Sequence, residues 1–534
     1  MTSARPREAR VLVADPISQA GIDLLHATPG FTVTVKTGLK GEELARAVSE
    51  HDALIVRSAT VVTADVLKEP GRLRVIGRAG TGVDNIDLDA ATRAGVVVLN
   101  TPGGNSVAAA EHTISLLLAL ARSVPQANAD LRAGKWERKK YVGVEVAGKA
   151  LGVVGLGRIG REVARRAQGL RMEVLGFDPF VSRQATESMG VAHATLDDLL
   201  SRADFVTLHL PLTAESHHLI DGAKLARMKP GARVINCARG GLLDEAALYD
   251  AIVAGRIAGA GLDVFESEPP TDRRLIDDPR VVATPHLGAS TVEAQERVGI
   301  EIAEKIREFF ESGAILDAVN FPSMSREDYA ATRPLLDLAE RLGRFLAQAV
   351  DGGVARLEVR SYGGFAERAL KPVVMAATKG LLSPALEGGI SYVNALAIAG
   401  QRGIAVEEGR SSEATPFAGL LRLTVTTDRE CLSAAGTVIA ADRPRLVEVD
   451  GVPIEASPAG HLLFFRNKDV PGVVGKIGTI LGGAGVNIAG IHLGRTDGGG
   501  KAVSLINVDT PVPARTMAEI RALPEILLAR SLEV

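Results

Sequence analysis

Short apolar runs of four or five residues recur along the first hundred positions, and each is followed by a polar or glycine-rich segment. Between several of these runs, apolar residues lie three and four positions apart, which is the spacing of one helix face. Buried strands that alternate with amphipathic helices are typical of a parallel sheet covered by helices. The predicted strands are residues 10–14, 31–35, 53–56, 74–76 and 96–99, and the predicted helices include residues 17–27 and 42–49.

A second region of the same kind begins at the apolar run 151–154, which is followed directly by a Gly-x-Gly-x-x-Gly motif. An amphipathic helix over 158–170 and a strand over 173–177 complete the unit, and Asp178 ends that strand. The first glycine permits the tight turn, the second lets the backbone approach a pyrophosphate, and the third lets helix and strand pack closely. A carboxylate about 20 residues further on can accept hydrogen bonds from an adenosine ribose. The pattern predicts a dinucleotide-binding domain, and the motif's glycines are Gly155, Gly157 and Gly160.

Helix signals divide this part of the chain into two domains. Asn105 or Ser106 can cap a long helix that follows the first sheet. Ser290 and Glu293 have the spacing of a capping box at the start of a later helix, which we expect to cross back to the first sheet. We therefore predict two Rossmann-like domains with a cleft between them: a discontinuous first domain, residues 1–103 and 290–320, and a dinucleotide domain, residues 104–289.

The remaining third of the chain predicts two further domains. Residues 321–456 carry mixed strand and helix signals and are expected to form an α+β intervening domain. Residues 457–534 alternate as βαββαβ, the ferredoxin-like arrangement. Such a unit leaves one sheet face without helices and its edge strands open, which favours pairing with a second copy.

Composition narrows the class of protein. The 534 residues are 46% hydrophobic and 23% charged, and the net charge is −3, so there is no bulk basicity to attract nucleic acid or an anionic membrane. Two cysteines cannot build a disulfide framework or a zinc site, which fits a reducing cytoplasm. The N-terminus has no apolar signal-peptide segment.

Three titratable residues follow consecutive strands of the dinucleotide domain: Arg239, Glu268 and His286. The carboxyl ends of parallel strands meet at one edge, where ligands bind. Imidazole can take a hydroxyl proton near neutral pH, and a carboxylate on its other nitrogen orients the ring and favours the imidazolium. A guanidinium binds a carboxylate with two hydrogen bonds. Together they predict oxidation of a 2-hydroxy acid.

These spacings resemble the NAD-binding D-2-hydroxyacid dehydrogenases. The segments 78–85, 100–102 and 134–136, with the C-terminal unit, narrow the resemblance to the long-form branch that oxidises 3-phospho-D-glycerate at the start of phosphorylated serine biosynthesis. That resemblance implies Arg239 as carboxylate ligand, His286 as acid/base and Glu268 as its support. It also implies an NAD site formed by Gly155, Gly157, Arg158, Ile159, Gly160, Asp178, Cys237, Ala238, Arg239, Asp263, His286, Gly288 and Ala289.

The resemblance further implies a substrate site, an effector and an oligomer. The implied substrate ligands are Arg57, Ser58, Gly80, Thr81, Gly82, Asn105, Lys135 and Arg138, the last two reaching a neighbouring subunit. The C-terminal unit resembles an ACT domain, in which Asp469 and Asn487 match positions that bind L-serine between subunits. Asn467 departs from the aromatic residue or histidine expected there. A homotetramer is the implied assembly.

Two alternatives remain at this point. A glyoxylate or hydroxypyruvate reductase of the same family would share the cofactor and the three titratable residues, but would lack the C-terminal unit. An NAD-sensing corepressor or scaffold on the same fold could also retain those residues. The added small-molecule domain and the absence of a basic tail favour the metabolic enzyme.

Overall fold

The computed structural model describes residues 8–386, 390–440, 442–495 and 501–534. The first sheet is fully parallel, with the strand order β2-β1-β3-β4-β5. Its strands other than the edge strand β2 are almost wholly buried, which explains their nearly continuous apolar sequences. The strands are β1 Ala9–Val13, β2 Phe31–Val35, β3 Ala53–Val56, β4 Val75–Arg78 and β5 Val97–Leu99, and the helices are α1 Gln19–Ala27, α2 Gly41–Ser49 and α3 Leu88–Arg93.

The second sheet has seven parallel strands in the order β12-β11-β10-β9-β6-β7-β8. The strand order reverses between β6 and β9, which is the switch point where such folds bind ligands. The strands are β6 Ala150–Val154, β7 Glu173–Phe177, β8 Ala192–His193, β9 Phe205–Leu208, β10 Ala232–Asn236, β11 Ile257–Leu262 and β12 Val281–Ala283. The helices are α4 Ser106–Arg122, α5 Val124–Arg132, α6 Arg158–Gly169, α7 Arg183–Ser188, α8 Leu196–Arg202, α9 Gly222–Arg227, α10 Glu245–Val253 and α11 Arg274–Asp277.

The long helix α12, Val292–Ser312, returns to the first sheet as the sequence predicted. Val298, Ile302 and Ile306 are buried in one cluster with residues of that sheet. A side chain on Gly21 of α1 would collide with the carbonyl of Gly299, so two glycines allow α1 and α12 to cross closely.

Two predicted helix caps differ in detail. Thr291, not Ser290, is the N-cap of α12, and its side chain accepts the Ala294 N–H. The Ser290 N–H is already engaged by the Leu287 carbonyl in the preceding turn, so the helix starts one residue later. Asn105 precedes α4 but makes no side-chain cap, because its Oδ1 accepts the Thr81 hydroxyl at 2.7 Å.

No single helix within the described ranges is long and apolar enough to cross a membrane. The bent pair α4 and α5, with 64° between them, passes that test of length and composition only when the two are joined.

The intervening segment folds on a six-stranded mixed sheet with the order β14-β13-β15-β16-β17-β18. Helices α13 and α14 cover one face of it. The strands are β13 Val354–Gly363, β14 Ala405–Ser411, β15 Gly419–Thr427, β16 Cys431–Ile439, β17 Arg443–Val449 and β18 Val452–Ala456, and the helices are α13 Arg326–Ala349, α14 Leu370–Leu382 and α15 Ala395–Gln401.

The C-terminal unit has the predicted βαββαβ order on a four-stranded antiparallel sheet, β20-β21-β19-β22. Its two helices cover one sheet face. The elements are β19 His461–Lys468, α16 Val473–Gly483, β20 Ile488–Arg495, β21 Lys501–Val508, α17 Ala514–Arg521 and β22 Ile526–Glu533.

The other face of this sheet is not left open, contrary to the argument from an isolated unit. Leu462, Phe464 and Leu505 join the same apolar cluster as α13 of the intervening segment. Phe464 meets Phe345 of α13 edge to face, with ring centroids 5.4 Å apart. The apolar face is therefore buried within the chain and does not need a second copy to cover it.

Candidate active site

Two of the predicted reactive side chains are in contact. His286 Nδ1 lies 2.7 Å from Glu268 Oε2, although the two residues follow different strands. Glu268 Oε1 accepts the Phe265 N–H, which holds the carboxylate in place. The Nδ1 side of the imidazole is thereby fixed as the donor to Glu268, and Nε2 is left as the reactive nitrogen.

The electrostatics of this pair suit a proton acceptor. The hydrogen bond to Glu268 raises the pKa of His286 above its usual value, against the opposing effects of burial and of the Arg239 charge. Burial disfavours ionised Glu268, but the contact with His286 outweighs it and the pKa of Glu268 falls. The two groups thus stabilise each other's charged forms.

The backbone of His286 is held in an unusual conformation by Asp263. His286 has a φ of 54°, in the left-handed region that non-glycine residues avoid. The next two N–H groups, of Leu287 and Gly288, donate to the Asp263 carboxylate at 2.7 and 2.8 Å. Asp263 is fully buried, so its carboxylate anchors the loop that presents His286.

Asp263 is in turn fixed by two side chains. The Thr284 hydroxyl donates to Oδ1 at 2.6 Å, and His112 Nε2 of α4 lies 3.1 Å from the same oxygen. Burial opposes ionisation of Asp263, but the contacts with His112 and Thr284 outweigh it and lower its pKa. The family resemblance implied that Asp263 belongs to the NAD site; its contacts within the chain are those of a residue that positions the His286 loop.

Arg239 lies at the edge of the cleft and contacts the first domain. Its Nε is 2.9 Å from Asp84 Oδ2, and its Nη1 donates to the Ala238 carbonyl at 2.6 Å. Its Nη2 packs so closely on Gly82 that a β-carbon there would lie 1.8 Å away. A side chain at position 82 would displace this guanidinium from the position that it has here.

A second guanidinium, that of Arg78, lies beside Arg239. A β-carbon on Gly80 would lie 2.1 Å from Arg78 Nη1, so the glycine-rich loop accommodates this side chain too. Burial, and then the charges of Arg239 and Arg57, lower the pKa of Arg78 to about 10. Its Nε is buried without a hydrogen-bond partner among the described residues. Arg78 thus lies within the influence of two other guanidiniums, an arrangement suited to binding an anion.

The other predicted substrate residues border the same loop. The Arg57 N–H donates to Asp15 Oδ2 at 2.6 Å, and Asn85 binds the carbonyls of Arg57 and Thr60, which fixes the end of β3. Thr81 is bonded to Asn105 across the start of α4, and Ser58 is exposed.

Lys135 and Arg138 are not joined to this cluster by any hydrogen bond or ion pair within the described part of the chain. Lys135 instead contacts Asp130 at 3.4 Å, and Lys140 contacts the same carboxylate at 2.8 Å. Arg138 lies in an exposed 3₁₀ turn, and Trp136 beside it is 77% exposed. This basic segment is free to contact another molecule.

The glycine motif has the predicted turn between β6 and α6. Gly155 has a φ of 99°, and a β-carbon on Gly160 would lie 1.9 Å from the Gly155 carbonyl oxygen. A β-carbon on Gly157 would meet open space, and no side chain caps α6. The start of α6 therefore has no side-chain cap and has space beside Gly157, which suits a pyrophosphate.

The remaining cofactor positions surround that turn. The Asp178 carboxylate accepts the N–H groups of Leu156 and Phe180, each at 2.8 Å, which fixes it at the end of β7. Arg158 lies beside Gly103 across the cleft, and Ile159 is half-buried against the sheet. Cys237 and Ala238 follow β10 and are buried. Burial raises the pKa of the Cys237 thiol to about 12. Ala289 follows Gly288, whose N–H donates to Asp263.

The two proposed effector residues of the C-terminal unit lie towards opposite ends of its sheet: Asp469 follows β19 and precedes α16, and Asn487 precedes β20. Asp469 is exposed, and no side chain in the described ranges pairs with it. Asn487 Nδ2 donates to Asp509 at 2.7 Å. Asn467 is buried and bonded to Ser504 and to the Lys468 carbonyl, so its amide is used within the sheet.

Family models match three parts of this architecture. Residues 114–288 match the NAD-binding domain of the D-isomer-specific 2-hydroxyacid dehydrogenases. Residues 331–450 match the D-3-phosphoglycerate dehydrogenase intervening domain, and residues 461–525 match the ACT domain. These matches confirm the predicted fold class and an NAD-binding domain.

The chain is 45% identical to the D-3-phosphoglycerate dehydrogenase of Synechocystis sp. over 96% of its own length and 92% of that protein. The chain belongs to the D-3-phosphoglycerate dehydrogenase family. It is 42% identical to the enzyme of that name from Methanocaldococcus jannaschii, over 97% of this chain and 98% of the other. A glyoxylate reductase structure from Paecilomyes thermophila matches only 59% of this chain, at 31% identity and a TM-score of 0.53, while 98% of that protein is covered.

Sequence reasoning missed Arg78, Asp84 and His112 as contributors to the site. Arg78 and Asp84 stand in the segment that carried the family resemblance, yet only its glycines and Thr81 were assigned. Arg78 ends β4 at the carboxyl edge, and this strand-end position was a signal that could have identified it. His112 had no such signal, because only the packing of α4 brings it to Asp263.

Proposed function

We propose that this protein oxidises 3-phospho-D-glycerate to 3-phosphohydroxypyruvate with NAD, the first step of phosphorylated L-serine biosynthesis. The observation that carries the proposal is the His286–Glu268 pair next to a cluster of three guanidiniums. The pair supplies a proton acceptor. The cluster supplies more positive charge than one carboxylate requires, as a substrate with a carboxylate and a phosphate would need.

His286 is the acid/base in this proposal. Its Nε2 accepts the proton of the substrate's 2-hydroxyl as the carbonyl forms, while Nδ1 stays bonded to Glu268. Glu268 stabilises the resulting imidazolium and keeps the ring oriented. Asp263 holds the His286 loop through the Leu287 and Gly288 N–H groups, so the acceptor does not have to be repositioned during the reaction.

Arg239 and Arg78 divide the two anionic ends of the substrate. Arg239 is near enough to His286 for its charge to lower the pKa of that imidazole. This position suits binding of the C1 carboxylate next to the reacting C2. Arg78, the last residue of β4, and Arg57, which follows β3, suit the C3 phosphate. Arg138 of a second subunit could add to that end.

NAD fits the residues at the switch point. The open space at Gly157 and the uncapped start of α6 suit its pyrophosphate, and Asp178 suits its adenosine ribose. Bound NAD supplies the acceptor for the hydrogen that leaves C2. The Arg158 side chain beside Gly103 lies where it can contact both the cofactor and the domain opposite.

The C-terminal domain is proposed to bind L-serine between two subunits. The exposed Asp469 can accept the ammonium group, Asn487 can bond the hydroxyl, and the N–H groups at the start of α16 can receive the carboxylate.

The proposed assembly is a homotetramer. It requires two different two-fold contacts, one at this domain and one at the exposed Trp136 segment. The free thiols of Cys237 and Cys431 suit a reducing cytoplasm.

A steady-state assay tests the activity. Full-length protein with NAD should convert 3-phospho-D-glycerate with reduction of the cofactor, followed by absorbance, and should reduce glyoxylate poorly. Efficient glyoxylate reduction without turnover of phosphoglycerate would instead support the reductase alternative. The intervening and ACT matches favour the first outcome, because the matched glyoxylate reductase structure leaves that part of the chain uncovered.

A further inference from the structure

One ion pair bridges the two domains at the active site. Asp84 follows β4 in the first domain, and Arg239 follows β10 in the dinucleotide domain, yet Oδ2 and Nε are 2.9 Å apart. The Asp84 side chain is 68% exposed and that of Arg239 is 28% exposed. Asp84 is therefore not locked into the protein interior and can move away from the pair at little cost.

Asp84 lies at the Nε side of the Arg239 guanidinium, which is a side that a substrate carboxylate could bind. Nη1 of Arg239 is committed to the Ala238 carbonyl, and Nη2 lies against Gly82. A guanidinium binds a carboxylate best through two parallel N–H groups, and Nε with Nη2 forms one such edge. Asp84 Oδ2 lies beside Nε of that edge, where its charge competes with that of a substrate carboxylate.

The surrounding charges make Asp84 the accessible counter-ion of the cluster. Four charged residues shift the pKa of Arg78: Arg239 and Arg57 lower it, and Asp84 and Asp15 raise it. Asp15 is buried and already accepts the Arg57 and Thr60 N–H groups and the Thr60 hydroxyl, so it is fixed. Asp84 makes no such backbone contacts within the described residues.

We propose that Asp84 is a resident counter-ion that the substrate carboxylate displaces from Arg239, and that it thereby sets the affinity for substrate. The inference rests on the proposed function and adds a residue to it. In the free enzyme Asp84 balances the charge of Arg239 and links the two domains. On binding, the carboxylate replaces Asp84 on Nε, and Asp84 turns to solvent.

The test compares Asp84→Asn with Asp84→Glu in the full-length protein. Asparagine keeps the shape and removes the competing charge, so KM for 3-phospho-D-glycerate should fall about two- to fivefold, as expected for an exposed pair, with kcat little changed. Glutamate restores the charge and should return KM towards the wild-type value. Asp89→Asn, an exposed aspartate in the first turn of α3, is the matched control and should leave KM unchanged.

A second ligand shows whether Asp84 competes with the substrate carboxylate or only lowers the positive charge of the whole cluster. Glycerol 3-phosphate has the phosphate but no carboxylate, so its inhibition constant should change less in Asp84→Asn than KM does. A raised KM in Asp84→Asn would mean that Asp84 orients Arg239, and an unchanged KM would make it a surface charge; either result overturns the proposal. Wild-type protein that fails to oxidise phosphoglycerate would overturn the proposed function itself, which is a different outcome.

Discussion

In the cleft, side chains from different parts of the chain already contact one another, as in the His286–Glu268 pair at 2.7 Å and the Arg239–Asp84 pair at 2.9 Å. In the C-terminal domain, Asp469 is exposed without a side-chain partner in the described ranges, and Asn487 contacts Asp509 alone. One chain thus brings together the groups that we propose for catalysis, whereas the residues that we propose for the effector do not contact each other within the described ranges. Changes in the two regions should therefore have separable effects.

The difference has a topological cause. The carboxyl edges of two parallel sheets face one cleft, so strand order alone brings residues distant in sequence together. The C-terminal sheet has its two faces covered within the chain, by α16 and α17 and by the intervening segment. Asp469, before α16, and Asn487, before β20, lie towards opposite ends of this sheet, so a single copy does not bring them together.

The largest expected effect is on the catalytic side of this comparison. His286→Ala should reduce turnover by about 10² to 10⁴, because the substrate hydroxyl loses its proton acceptor. NAD binding, measured by calorimetry, should change little. Near-normal turnover in a folded His286→Ala protein would remove this residue from the mechanism.

The arginine cluster should enforce the need for a phosphate. We expect kcat/KM for 3-phospho-D-glycerate to exceed that for D-glycerate by at least about 100-fold, since charge-assisted hydrogen bonds to the phosphate are lost with glycerate. Arg78→Gln should shrink this ratio, and Arg93→Gln, an exposed arginine at the end of α3, should not. Equal use of the two substrates would leave the cluster without a role in recognition.

Features that follow from strand order could be predicted from the sequence, whereas features that depend on packing between distant elements could not. The strands, the glycine turn and the positions of Arg239, Glu268 and His286 could be predicted, because strand ends converge in any parallel sheet. The role of Gly82 in accommodating Arg239 and the link from His112 to Asp263 could not, since they depend on packing between elements distant in sequence. The open face expected for the C-terminal sheet was wrong for the same reason: Phe464 packs on Phe345 of another segment.

Cofactor choice tests the other side of the cleft. The Asp178 carboxylate would repel a 2′-phosphate, so NAD should be preferred over NADP at least about tenfold in kcat/KM, roughly 1.4 kcal/mol. Asp178→Asn keeps an acceptor for the Leu156 N–H while removing the charge, and should reduce the preference. Equal efficiency with both cofactors in the wild type would contradict this role.

The proposed effector residues Asp469 and Asn487 are tested in the full-length protein, because removing the C-terminal domain would uncover the apolar cluster around Phe345. Asn487→Ala should weaken inhibition by L-serine about tenfold, the value of one hydrogen bond to a polar ligand group, with uninhibited turnover unchanged. Glu519→Gln, exposed on α17, serves as the control. If millimolar serine neither inhibits nor binds to the wild type, the domain is an assembly element instead.

The smallest effect concerns the pH dependence of the cleft. Oxidation requires neutral His286, so kcat/KM should rise with pH through the pKa of this residue. The hydrogen bond to Glu268 raises that pKa, and Glu268→Gln removes the charge that favours the imidazolium. The acid limb of the profile should therefore move to lower pH in this variant, while Glu293→Gln, exposed on α12, should leave it in place. A profile that does not move on Glu268→Gln would mean that the contact between the two side chains orients the imidazole without controlling its protonation.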